Sequence, residues 1–190
     1  MTSSIETDLQ GWSRSVLEVP SACLKGLPPC PYAKKAWAED RVQIIETDNI
    51  FAGALRACGD FYLFDKDLVI VASYYMPDIE DLQDFVDALN EQFSDTHCMQ
   101  FHPDYDAEDA GLDFLTEGDW ESEIEDHYCM VFIQDLRAVV EASDKLERLG
   151  YYDAYPADEY ETLVAARRRR LLDEPHQHGA TNRGSPDEDC

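Results

Sequence analysis

The stretch "DLVIVASYY", residues 67–75, decides the fold. Its apolar run is too short for a helix and rich in β-branched residues. Such a run is a strand buried on both faces, so layers must cover the sheet above and below. Outward from it, the neighbours alternate in type. On the amino side, "DNIFAGALRACGDFYLF" (48–64) carries Phe51, Leu55, Cys58 and Phe61 or Tyr62 on one helical stripe, with Asp48 as N-cap. Before it, "RVQIIET" (41–47) reads as a strand. On the carboxyl side, "PDIEDLQDFVDALNEQF" (77–93) puts Ile79, Leu82, Phe85, Val86, Leu89 and Phe93 on one face and carboxylates on the rest. "THCMQFH" (96–102) follows as a third strand.

Further out, residues 4–19 hold Ile5, Leu9, Trp12, Val16 and Leu17 at helical spacing. "HYCMVFIQ" (127–134) reads as a fourth strand, and "DLRAVVEASDKLERLG" (135–150) as a helix stopped by Gly150. "ADEYETLVAARRRRLL" (157–172) reads as a last helix. Strands joined through helices favour parallel neighbours. The expectation is an α/β or α+β sandwich: a mixed sheet of about four strands covered by helices, with an acidic insertion before the last strand. The insertion, 104–126, holds eleven carboxylates and no Lys or Arg. One domain is expected over 1–172, with a disordered tail over 173–190.

The chain has 41 Asp and Glu against 15 Lys and Arg, a formal net charge of −26. That charge argues against direct nucleic-acid binding and against anionic membranes. It suits a solvated acidic surface, or a mimic of a polyanion that occupies a basic protein partner. No run approaches the roughly 18 apolar residues of a membrane span, and "MTSSIETDLQGW" is polar, so a cytoplasmic protein with reduced thiols is expected. Cys23, Cys30, Cys58, Cys98, Cys129 and Cys190 form no Cys-x-x-Cys pair, so neither a zinc ribbon nor a dithiol motif is signalled.

Against this acidic background, "LKGLPPCPYAKKAW" (24–37) sets Cys30 among Lys25, Lys34, Lys35 and Arg41. Pro28 and Pro29 stiffen the approach, and Pro31 can start a helix. Positive neighbours and a helix start both lower a thiol pKa, which makes Cys30 a candidate nucleophile or ligand. The competing reading is a buried structural cysteine in a proline-rich turn. The turn is similar to that of glutaredoxins, but no strand precedes it, which excludes that family.

"GLPPCPYAKKAW" (26–37) and "FHPDYDAEDAG" (101–111) together resemble a family of small bacterial proteins of unknown function. Their marks are a Cys-Pro-Phe-Ala segment after a first helix and a Phe-His-Pro-Asp-Tyr segment at the end of a strand. Cys30, Pro31, Ala33, Phe101, His102, Pro103, Asp104 and Tyr105 carry the resemblance, which spans roughly residues 5 to 142. Tyr32 stands where the family favours Phe, and the family's Asn-Arg-Ser-Pro segment is missing. The resemblance supports the fold and the choice of residues and brings no reaction.

Joining the two motifs gives a small enzyme of unknown reaction acting on a small molecule. Cys30 would be nucleophile or ligand, His102 general acid or base, and Asp104 its orienting carboxylate. Tyr105 and Lys34 would donate to a developing anion. Strand alternation allows a second constellation, with Cys98, His102, His127 and Cys129 holding zinc. His102, Asp104 and His127 also fit an iron triad. A metal-holding accessory protein is therefore a further alternative, with zinc or iron as the transition metal. The block 167–170, four arginines, points in four directions on a helix and reads as a solvated helix end or a contact with the acidic insertion.

Overall fold

The computed structural model describes residues 5–103 and 128–173. The acidic insertion expected at 104–126, and the expected tail beyond residue 173, lie outside the described residues. So do Asp104, Tyr105 and His127.

Four strands form one sheet: β1 (Val42–Glu46), β2 (Leu68–Ser73), β3 (Thr96–Phe101) and β4 (Cys129–Asp135), in the order β1-β2-β4-β3. β1 and β2 are parallel, with Ile44 level with Ile70. β4 runs antiparallel to both β2 and β3. The sheet is mixed, as expected. β2 and β3 share a direction, yet they are not neighbours, because β4 lies between them. The reason is apolar content. β4 is buried from Cys129 to Ile133 and β2 from Val69 to Ser73, so both take interior places, while β1 is half-buried and lies at an edge.

Helices cover both faces, and strand alternation decides which residues meet them. Val69 and Val71 of β2, with Cys129, Val131 and Ile133 of β4, pack with α3 (Ile50–Gly59) and α4 (Ile79–Gln92). Ile70, Ala72, Met130 and Phe132 point the other way, onto Ile5, Leu9 and Trp12 of α1 (Ile5–Trp12) and Trp37 of α2 (Ala33–Ala38). Trp12 seats its ring edge-on against Phe101 and Phe132, with centroids 5.6 and 6.1 Å apart. α3 comes close enough to the sheet that a Cβ on Gly53 would lie 3.0 Å from Val71 Cγ1, so this position excludes a larger residue.

Asn49, not Asp48, caps α3, its side chain accepting from Ala52 N–H at 3.0 Å. Asp78 caps α4, and Asp135 caps α5 (Leu136–Glu147). Gly150, at φ +75°, turns the chain after α5 as expected. A third cluster follows, of Leu24, Leu146 and Tyr151 with Leu27, Tyr152 and Tyr155 against it. The chain then forms α6 (Ala157–Tyr160), a π-helical turn Glu161–Ala165 and α7 (Ala166–Asp173).

The tetra-arginine block is built into the fold. Arg168 pairs with Asp144 and Glu147, Arg169 with Glu161, and Arg170 reaches the carboxyl end of α4. The four do point in different directions, but most bind backbone or carboxylates of neighbouring elements. Among the described residues no helix is long and apolar enough to cross a membrane.

Candidate functional site

β1, β2 and β3 run the same way, so their carboxyl ends share one side of the sheet. In open sheets with helices on both faces, ligands gather at such ends. The residues there are Ser73, Tyr74 and Tyr75 after β2, His102 after β3, and Tyr128 and Cys129 at the start of β4.

His102 is buried, at 7% exposure, with Nε2 3.0 Å from the Pro77 carbonyl oxygen. A carbonyl can only accept, so Nε2 carries the proton and Nδ1 is the basic nitrogen of the neutral ring. Extending the β3–β4 register by one step sets His102 level with Cys129. The Cys129 thiol donates to the Tyr75 carbonyl at 3.1 Å, and burial pushes it up to about 11. Two backbone carbonyls of one loop thus hold a histidine and a thiol side by side.

Sequence reasoning did not find the tyrosines at the same end of the sheet, on its other face. Tyr128 donates to the Asp8 carboxylate at 2.9 Å, and its hydroxyl lies 3.2 Å from that of Tyr74. Burial, Tyr74 and Asp8 all push the Tyr128 phenol upward, so it stays protonated and can donate. Tyr74 and Tyr75 are exposed, at 57% and 59%. The only signal was the pair of tyrosines ending the strand run. The Asp8 link joins residues 120 positions apart, which no local pattern reveals.

Cys30 lies elsewhere. Its N–H donates to the Leu17 carbonyl, and the preceding Pro29 carbonyl accepts from Tyr151 Oη at 2.6 Å, which ties the turn to the tyrosine cluster after α5. The expected lowering of its thiol pKa is reversed. Burial pushes it up, against the pull of the Tyr32 and Ala33 backbone N–H groups, and Glu18 adds to the rise. The expected cations are engaged: Lys25 with Asp153, Lys35 with Glu39, Arg41 with Asp65 and Asp67. Lys34 is exposed on α2. The helix begins at Ala33 and not at Pro31.

The four-residue zinc set does not assemble. β3 and β4 are neighbours with matching faces, as that reading required, but Cys98 is level with Ile133, four positions from Cys129. At about 3.4 Å per residue that is roughly 14 Å, far beyond a shared ion. Cys98 faces Cys58 instead, with the sulfurs 3.5 Å apart. Cys58 holds its proton and Cys98 is stabilised as acceptor. Among the described residues no group of three or more His, Cys, Asp or Glu can hold a metal ion. The structure therefore brings together His102 and Cys129, and leaves Cys30 and Cys98 in other parts of the fold. No protein-family model, curated protein or solved structure matches this chain.

Proposed function

We propose that this chain is a small enzyme whose acid–base group is His102, acting on a small molecule at the carboxyl ends of β2 and β3. One observation carries the reading: a buried imidazole whose Nε2–H is held by the Pro77 carbonyl, which leaves Nδ1 as the base. Orientation through the far nitrogen is the arrangement that general-base histidines need. The hydrogen-bonded hydroxyls of Tyr74 and Tyr128 lie at the same end of the sheet, on its other face, and are committed to each other and to Asp8. Asp104 and Tyr105 join through the sequence motif alone. Cys30 is left out of this reading, because desolvation and Glu18 push its thiol upward, away from the thiolate.

The test has two arms. Nitrogen NMR of labelled protein should find the His102 proton on Nε2 at neutral pH. The opposite tautomer removes the base and with it the reading. Thermal-shift screening of small carbonyl, carboxylate and phosphate compounds should find a class that stabilises the wild type and not His102→Gln. That variant keeps a donor for Pro77 and lacks the base. If no compound distinguishes the two proteins, the chain is better read as a non-catalytic acidic protein that engages a basic partner.

A further inference from the structure

A second site lies at the other end of β3 and on the other face, where a buried imidazole N–H has no acceptor. His97 is buried at 9% exposure, and its Nδ1 lies 3.4 Å from Arg170 Nη1. A guanidinium can only donate, so Nδ1 accepts and the ring proton sits on Nε2. Nε2 is buried and has no hydrogen-bond partner among the described residues. It is a donor with nothing to donate to, which costs about 1–3 kcal/mol if left so.

Arg167 stands three residues before Arg170 on α7, and residues so spaced share a helix face. Unlike its three neighbours in the block, Arg167 has no hydrogen bond or ion pair among the described residues. Arg170 meets the His97 ring at Nδ1, which puts Arg167, one helical turn back on the same face of α7, on the His97 side of the helix. Burial lowers the His97 pKa, and the Arg167 charge adds to that lowering. Arg167 is half-buried, and a partly desolvated charge without a counter-ion is unfavourable.

We infer that the space between Arg167 and His97 Nε2 binds a small oxyanion, a carboxylate or phosphate. One anion would satisfy both groups, with the guanidinium donating as a fork and the imidazole N–H donating alongside. The fixed neighbour Arg170 adds positive potential without competing for the ligand, because its own N–H groups go to the carbonyls of Asn90, Phe93 and Thr96. On a chain of net charge −26, this is the place where an anion meets a local excess of cations. His97 and His102 are five residues apart on β3, roughly 17 Å, so this site is separate from the proposed acid–base site.

The experiment compares the full chain with Arg167→Met and Arg170→Met in phosphate, in acetate and in chloride at matched ionic strength. Wild type should melt about 5–10 °C higher at a hundredfold excess of the binding anion over its dissociation constant. A response to phosphate alone assigns a phosphate ligand, and a response to acetate assigns a carboxylate. Arg167→Met should lose the response yet melt close to wild type in chloride, because it breaks no hydrogen bond or ion pair among the described residues. Arg170→Met should melt lower in every buffer. The inference is overturned if neither anion stabilises the wild type beyond chloride, if Arg167→Met responds like wild type, or if Arg167→Met is as destabilised in chloride as Arg170→Met.

Discussion

The buried histidines His97, in β3, and His102, just after it, look alike until their partners are counted. His102, at the carboxyl end, faces a backbone carbonyl and is oriented by it. His97, near the amino end, faces the Arg170 guanidinium and keeps an unpartnered N–H. They sit on opposite faces of the sheet, because five steps along a strand reverse the side. Burial is therefore not what marks a site here. The partner decides the chemistry: a carbonyl at Nε2 makes Nδ1 the nitrogen that can take a proton, whereas a guanidinium at Nδ1 leaves an N–H that calls for an acceptor.

The amino-end region should be the more fragile. Arg170 holds the carboxyl end of α4 by donating to the Asn90, Phe93 and Thr96 carbonyls at 2.7, 3.4 and 2.8 Å, and to Asn90 Oδ1 at 3.0 Å. The Asn90 and Phe93 carbonyls lie at the end of α4, where a cation suits the dipole, and the Thr96 carbonyl opens β3, so Arg170 ties the helix end to the strand. Arg170→Met should cost about 3 kcal/mol, taking charged hydrogen bonds at about 1.5–3 kcal/mol each and allowing for rescue by water. For a chain of this size that lowers the melting temperature by roughly 6–12 °C. Arg169→Met is the control, since its pair with Glu161 is exposed and should cost no more than about 0.5 kcal/mol. Equal effects in calorimetry would show that α7 is merely attached at the surface.

Acid titration sharpens the contrast. Burial holds the His97 pKa well below the ordinary histidine range, and Arg167 and Arg170 push the same way. The unfolded chain then binds a proton near pH 6.5 that the folded chain refuses. Stability contributed by the neutral ring is complete above pH 6.5 and is lost as pH falls towards the lower folded value, by up to about 1.4 kcal/mol per pH unit. Denaturant melts between pH 7 and 5 should show this slope in wild type and a shallower one in His97→Phe. Parallel slopes would mean that the ring is not held neutral.

Much of this architecture was legible in the sequence, and the exceptions have a common cause. The continuous apolar runs of β2 and β4, the stripes of α3 and α4 and the stop at Gly150 are local patterns, and local patterns survive in the chain order. The insertion of β4 between β2 and β3 is a long-range pairing. So is the Tyr128–Asp8 bond, and so are the contacts that make Arg170 a tie where a solvated end was expected. Cys30 failed for a related reason. Lysines adjacent in sequence supplied an expected positive field, but in space Lys25 and Lys35 are paired with Asp153 and Glu39, and desolvation of the thiol dominates. The position of His102 was legible because its motif ends a strand, and the end of a strand fixes a position in the fold.

The smallest effect is expected at the carboxyl end, and it separates orientation from stability. His102→Gln retains an amide N–H for the Pro77 carbonyl, so the buried acceptor keeps a partner and the loss should stay below about 1 kcal/mol. His102→Ala removes the donor and leaves space in a buried position, so it should cost about 2 kcal/mol. If His102 serves chemistry through Nδ1, Gln and Ala should be equally incompetent in ligand response while differing in stability. If it serves only to hold the loop after β2, Gln should match wild type in both. A chemical-denaturation midpoint and a ligand-dependent melting shift, measured on the same three proteins, read these two properties independently. The pattern that breaks the comparison with His97 is a Gln variant as unstable as Ala, because the Pro77 contact would then not be what the ring supplies at that end of the strand.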